Sequence, residues 1–226
     1  MAERPLEIEL YTDVLCVWAY AGQVRADELR EMFGPRIQLV ERYLSVYGNV
    51  NRRVDEQAGG DASAYADIKR RVAARFDHTK MHPDAFARVA PRSSNMAHLA
   101  LCAVRAAQAN GLVDEDPELM SRLTRRVRLA FFEDAEDISQ RDVLINLLAG
   151  EGVPQGALDA MLLNGAAMAE LSDDLAQKEK LGLVGSPTYV LDGGRQQLFG
   201  NVGYRILEAN VAGLLDGDRT PSGSWC

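Results

Sequence analysis

The chain has 226 residues, 47% hydrophobic and 26% charged, enough to bury a core as one large domain or two small ones. Its 25 basic and 33 acidic residues give a formal net charge of −8, which argues against a general nucleic-acid or anionic-membrane binder and leaves room for a local basic pocket. The start MAERPLEIEL has no secretory-signal pattern, no apolar run approaches the ~20 residues of a membrane span, and three widely spaced cysteines make no disulfide framework, so a soluble cytoplasmic protein is expected.

Leu6 to Thr12 (LEIELYT) alternates apolar and polar residues and reads as a strand. From Val17 to Phe33 the apolar positions Trp18, Ala21, Val24, Leu29, Met32 and Phe33 approximate helical spacing, and Gly34-Pro35 stops the helix. Ile37 to Val46 is rich in β-branched and aromatic residues and reads as a second strand, with the connection favouring a parallel pair. After Gly48 helices are expected over 61–76, 94–110, 117–132, 139–149 and 155–181, with Ser139 as N-cap of the fourth. Strands return in SPTYVLDGGRQQLFG (Ser186 to Gly200), where Gly193-Gly194 signals a hairpin, and Tyr204 to Leu215 reads as an amphipathic helix. The order is therefore β-α-β, helical block, β-hairpin, α.

Cys16 stands where the first strand gives way to the first helix, in YTDVLCVWAYAG. A helix N-terminus offers unpaired N–H groups and partial positive charge, which favour a thiolate. The residue reads either as such an activated nucleophile or as a small buried hydrophobe. Pro187 opens the first hairpin strand, where it withholds no ladder hydrogen bond from the sheet. A cis Ser186–Pro187 bond would turn the backbone toward the cysteine; a trans bond would make it an ordinary strand start.

Taken in order, D-x-L-C-x-W-x-Y at Asp13 to Tyr20, the segment FFEDAEDISQRDVL and the loop GLVGSPTYVLDG resemble the DsbA-like branch of the thioredoxin superfamily. That branch includes 2-hydroxychromene-2-carboxylate isomerases and kappa-class glutathione transferases. The resemblance implies an α/β, thioredoxin-like fold with a large all-helical insertion between the β-α-β half and the β-hairpin-α half. Residues 1–50 and 183–216 would form the discontinuous thioredoxin-like domain, 51–182 the helical insertion and 217–226 a C-terminal tail. Cys16 matches the family's first active-site cysteine, and Ala19 stands where the second would be, so the C-x-x-C redox cycle is unavailable. The resemblance implies Cys16 as catalytic nucleophile and Val17, Trp18, Ala19, Ser186, Pro187 and Asn201 as substrate-binding residues. The isomerase and transferase relatives often hold glutathione's amino group with an acidic residue after the second hairpin strand; Asn201 stands there instead.

Three function classes follow: an atypical monothiol (C-x-x-A) thiol–disulfide oxidoreductase, a glutathione-dependent isomerase or transferase without redox change, and a non-catalytic binding or redox-sensing module. No cofactor is required, with glutathione a candidate co-substrate. Expected partners are a thiol or disulfide substrate (protein or glutathione) or a small electrophile, with no nucleic acid or membrane and a homodimer left open.

Cys226 is a candidate resolving thiol, and Cys102, on an apolar helix, reads as core. Trp18 reads as a core anchor that could also flank the thiol. His78 and His82 are four apart, but Pro83 interrupts and no third ligand is evident, so surface or capping roles are expected and no metal. His98 reads as a satisfied core histidine that could line the cleft. Arg92 and the basic residues of RLTRRVRLAFF read as solvated.

Overall fold

The computed structural model describes residues 4–217. Strand β1 (Leu6–Thr12), helix α1 (Val17–Phe33) and strand β2 (Ile37–Tyr43) form the opening unit, with β1 and β2 parallel from Leu6↔Ile37 to Thr12↔Tyr43. Gly34, at φ 52°, ends α1 in a conformation that favours glycine, and Pro35 lies in the turn that follows. The hairpin of β3 (Thr188–Leu191) and β4 (Gln196–Phe199) completes a sheet of order β2-β1-β3-β4, with β3 antiparallel to both neighbours.

Alternation in β1 decides which face packs where. Leu6, Ile8 and Leu10 meet Ala26, Leu29 and Phe33 of α1 and Leu207, Val211 and Leu214 of the last helix, α9 (Tyr204–Leu215). Tyr11, on the other face, packs with Leu44, Leu183 and Val190.

Between β2 and β3 run α2 (Val50–Ala58), α3 (Ala62–Ala73), α4 (Asn95–Ala109), α5 (Leu119–Phe132), α6 (Arg141–Gly150), α7 (Gln155–Leu163) and α8 (Ala166–Lys180). Their core continues into the first turns of α1, so Cys16, Val17, Ala19 and Tyr20 share one buried cluster with Tyr65, Phe86, Leu101 and Phe131. Helix α1 is thus divided: its first turns face the helical block and its later turns face the sheet. Asp174 of α8 ties the block to β2, accepting from Arg42 at 3.1 Å, Arg105 of α4 at 2.9 Å and the Tyr43 backbone N–H at 3.0 Å.

Several expectations need correction. Helix α2 occupies a stretch to which no element had been assigned and is begun by Asn49, whose side chain accepts from the Arg52 N–H. The second strand ends at Tyr43 rather than Val46: the Leu44 N–H still donates to the Thr12 carbonyl of β1, but beyond it the Val46 N–H turns back to the Leu44 carbonyl and the Tyr47 N–H donates to the Asp13 carboxylate. The expected single helix over 155–181 is two, separated at Asn164 and Gly165, the latter at φ 85°. Ser139 is not an N-cap; its N–H and hydroxyl both donate to Asp137, and the helix starts at Arg141.

Candidate active site

The junction between β1 and α1 is held by one buried carboxylate. Asp13, fully buried, accepts at Oδ1 from the Leu15 N–H (2.9 Å) and at Oδ2 from the Tyr47 N–H (2.8 Å) and the Ser94 hydroxyl (2.9 Å). Its own N–H donates to Ser186 Oγ at 2.9 Å, across 173 residues of chain. The next N–H, of Val14, donates to Nε2 of buried His98 at 3.2 Å. That bond requires a neutral imidazole with its proton on Nδ1, which has no partner among the described residues. Burial lowers the pKa of His98 and keeps it neutral, and its ring stacks on Tyr43 at 5.2 Å between centroids.

This scaffold sets Cys16 at the N-cap of α1. Its Sγ lies 3.2 Å from the Ser186 carbonyl oxygen, and the Ser186–Pro187 peptide bond is cis. The residue is 5% exposed, and burial pushes its pKa up. The Ala19 N–H, the Ser186 side chain and the Trp18 N–H pull it down; the charge of Asp13 pushes it up again. The expected thiolate-favouring helix terminus is therefore present but outweighed by desolvation, and the resting thiol keeps its proton and donates to Ser186.

The other candidate residues divide by exposure. Val17 and Ala19 are buried, at 1% and 3%, so their side chains belong to the core, and the Ala19 N–H reaches the thiol. Trp18 is 37% exposed rather than a core anchor; its indole meets the Phe76 ring edge-on at 6.2 Å beside the Arg75 guanidinium. Ser186 and Pro187 are buried. Asn201 is half-buried and lies against α1 at Gly22, where a Cβ would come within 3.3 Å of Asn201 Oδ1 and 3.9 Å of Pro187 Cγ. That oxygen has no hydrogen-bond partner among the described residues. Cys226 lies outside the described residues.

Tyr20 links the cysteine motif to the FFED segment. Its ring stacks on Phe132 at 4.7 Å and its hydroxyl donates to Glu133 Oε1 at 2.7 Å. Cys102 is buried, with its pKa pushed up to about 12 by desolvation. His78 contacts the Ala21 carbonyl and His82 accepts from the Asp84 N–H; no metal-binding group of three ligating side chains exists among the described residues. Arg128 departs most from its sequence reading: the solvated face of RLTRRVRLAFF holds Arg122, Arg125 and Arg126, but Arg128 is buried.

Asp13, Tyr47 and Ser94, which hold the cysteine loop, were not singled out by sequence. Only Asp13 carried a signal, through its place in the quoted motif.

The chain is similar to several solved structures. A probable DsbA oxidoreductase from Streptomyces coelicolor is 21% identical with TM-score 0.71, covering 96% of this chain and 92% of that one. The cytosolic disulfide reductase DsbM from Pseudomonas aeruginosa, in a structure with GSH, is 22% identical with TM-score 0.66, covering 95% and 100%. A 2-hydroxychromene-2-carboxylate isomerase is 16% identical with TM-score 0.59, covering 94% and 98%. No curated protein matches the chain. The fold is the thioredoxin-like DsbA fold, with its helices between the opening β-α-β unit and the hairpin. With residues 7–212 matching the model of the DSBA-like thioredoxin domain, the chain belongs to that family.

Proposed function

We propose that the protein is a cytoplasmic monothiol thiol–disulfide oxidoreductase, with Cys16 as nucleophile and glutathione or a protein thiol as co-substrate. The observation that carries this reading is the 3.2 Å approach of Cys16 Sγ to Ser186 O, which brings the helix terminus and the proline loop to one point. Support also comes from the likeness to the DsbM structure with GSH.

Cys16 first loses its thiol proton to solvent. The thiolate attacks a disulfide R–S–S–R′, forming Cys16–S–S–R and releasing R′–S⁻. Because Ala19 holds the resolving position, a second thiol R″–SH, as its thiolate, attacks the mixed disulfide and regenerates Cys16 while R–S–S–R″ leaves. Exposed Trp18, Val184 and Phe199, at 37%, 79% and 56%, offer apolar surface on the chain segments flanking the thiol and its partner loop. Incubation with glutathione disulfide should give a mixed disulfide at Cys16 by peptide mass spectrometry, and Cys16→Ser should abolish thiol–disulfide exchange. Unchanged exchange in that variant would remove the role.

One observation favours a second reading. A resting thiol that keeps its proton is a hydrogen-bond donor, as a glutathione-dependent isomerase or transferase without redox change would need. The likeness to a 2-hydroxychromene-2-carboxylate isomerase accords with it. Saturable binding of reduced glutathione, with catalysis retained in Cys16→Ser, would favour this reading; absence of glutathione binding by calorimetry would dismiss it.

A further inference from the structure

The start of α4 grips the cysteine loop at two consecutive residues. Ser94 and His98, joined one turn apart by the His98 N–H to Ser94 O bond at 3.0 Å, reach Asp13 and Val14 respectively. The hydroxyl gives a donor to a carboxylate; the imidazole gives an acceptor, Nε2, to the Val14 N–H at 3.2 Å. The anchor is itself fixed, because the Ser94 N–H donates to the Tyr47 carbonyl at 3.0 Å and Ser45 Oγ to Asn95 Oδ1 at 2.6 Å. Both halves of the site hang from this clamp. The Asp13 N–H carries Ser186 Oγ, and Cys16, two residues beyond Val14, bonds to Ser186 O.

Nε2 of His98 can accept only while it is unprotonated. A second proton would set Nε2–H against the Val14 N–H, donor facing donor. The carboxylate within reach is Asp13, whose Oδ1 lies 3.7 Å from Nε2 and already accepts from the Leu15 N–H at 2.9 Å. If Oδ1 turned to the imidazolium, the N–H groups of Val14 and Leu15, the two before Cys16, would lose their acceptors. The surroundings hold that proton off. Burial dominates, with His98 fully enclosed and Tyr43 of β2 stacked on the ring at 5.2 Å. Asp13 and Asp174 of α8 attract the proton and Arg128 of α5 repels it, while Asp174 is committed to Arg42 and Arg105.

We propose that His98 is a positioning residue for Cys16, a latch that holds the cysteine loop closed while its ring is neutral and releases it when the opened ring takes up a proton. An opened ring regains the ordinary pKa of 6.5, so acid shifts the loop toward its open form by up to about ten-fold per pH unit below that value. The sulfur, 5% exposed in the closed loop, is reached through this opening. The inference rests on the reading of Cys16 as nucleophile for its purpose and on the loop's own contacts for its geometry.

Alkylation of Cys16 by iodoacetamide in the full-length protein, resolved by peptide, reads the latch. Loss of thiolate alone gives a slope of about 1 in log rate against pH. The latch offsets that loss, so the wild-type slope should drop toward zero between pH 6.5 and 5. His98→Gln keeps an acceptor for Val14 and cannot titrate, so its slope should stay near 1. Scaled to equal rates at pH 7.5, the wild type should label about ten-fold faster than this variant at pH 5.5. His78→Gln and His82→Gln should keep the wild-type profile, and Cys102 should label far more slowly than Cys16, marking the opening as local. A wild-type slope that stays near 1, a flattening that persists in folded His98→Gln or vanishes in either other variant, or equal labelling of Cys102 overturns the proposal. If His98→Gln does not fold, nitrogen-15 NMR of the wild-type ring decides: Nε2 must be bare at pH 7, and a protonated Nε2 overturns the latch. Thiol–disulfide exchange in Cys16→Ser is a separate readout: retained exchange removes the nucleophile reading, whereas an unflattened alkylation profile removes only the latch.

Discussion

The Ser94 hydroxyl donates to Asp13 Oδ2 at 2.9 Å, fastening the first turn of the cysteine loop to the start of α4. Removing that carboxylate strands the N–H groups of Leu15 and Tyr47. Asp13→Ala should cost roughly 2–5 kcal/mol, read from urea unfolding. Asp13→Asn, if folded, should move the Cys16 alkylation midpoint downward, because the negative charge that holds the thiol up is gone.

His98 binds a proton more weakly folded than unfolded, since burial lowers its pKa from the ordinary 6.5. Proton uptake therefore favours the unfolded chain: its contribution is complete above pH 6.5 and is lost as pH falls below that value, by up to about 1.4 kcal/mol per pH unit. His98→Gln should flatten the urea midpoint between pH 6.5 and 5 relative to wild type. An equally steep decline in the variant would assign it to other groups.

Asp174 is the only carboxylate that both Arg42 and Arg105 reach among their described contacts, and it is fully buried. Asp174→Ala leaves those guanidinium groups and the Tyr43 N–H short of an acceptor. A loss of about 3–5 kcal/mol is expected by chemical denaturation. Asp174→Asn, which keeps an acceptor oxygen, should lose less.

Cys102, fully buried and with its pKa pushed up to about 12, should resist alkylation in the native protein at pH 9. It should react within minutes in denaturant. Native labelling at a rate comparable to Cys16 would contradict this burial.

Elements with strong local signals were legible: β1, α1, the hairpin around Gly193-Gly194 and α9 each carry their own periodicity or turn residues. Helix α2 was not, because VNRRVDEQA buries only Val50 and Val54 and is otherwise polar. The break before α8 left a readable trace in Asn164-Gly165, a turn pair embedded in otherwise helical composition. In the site, the pairing of Cys16 with Ser186 was accessible through family resemblance. The desolvation that outweighs the helix terminus was not, because it depends on residues from several distant segments. Arg128 illustrates the limit: its acceptors, Thr12 and Gln23, lie more than 100 positions away in sequence, so nothing near it distinguishes it from its solvated neighbours.

The sheet order has a consequence for biosynthesis. Because β3 pairs with β1 rather than β2, one side of LEIELYT stays open until Thr188–Leu191 have left the ribosome. During that interval the nascent β1 has a free flank able to recruit a foreign strand, and the thiol nearby lacks its Ser186 neighbour. Glu9 is paired with Arg42 of β2 at 3.0 Å, so exposed Glu7 is the acid on that strand left to oppose such pairing.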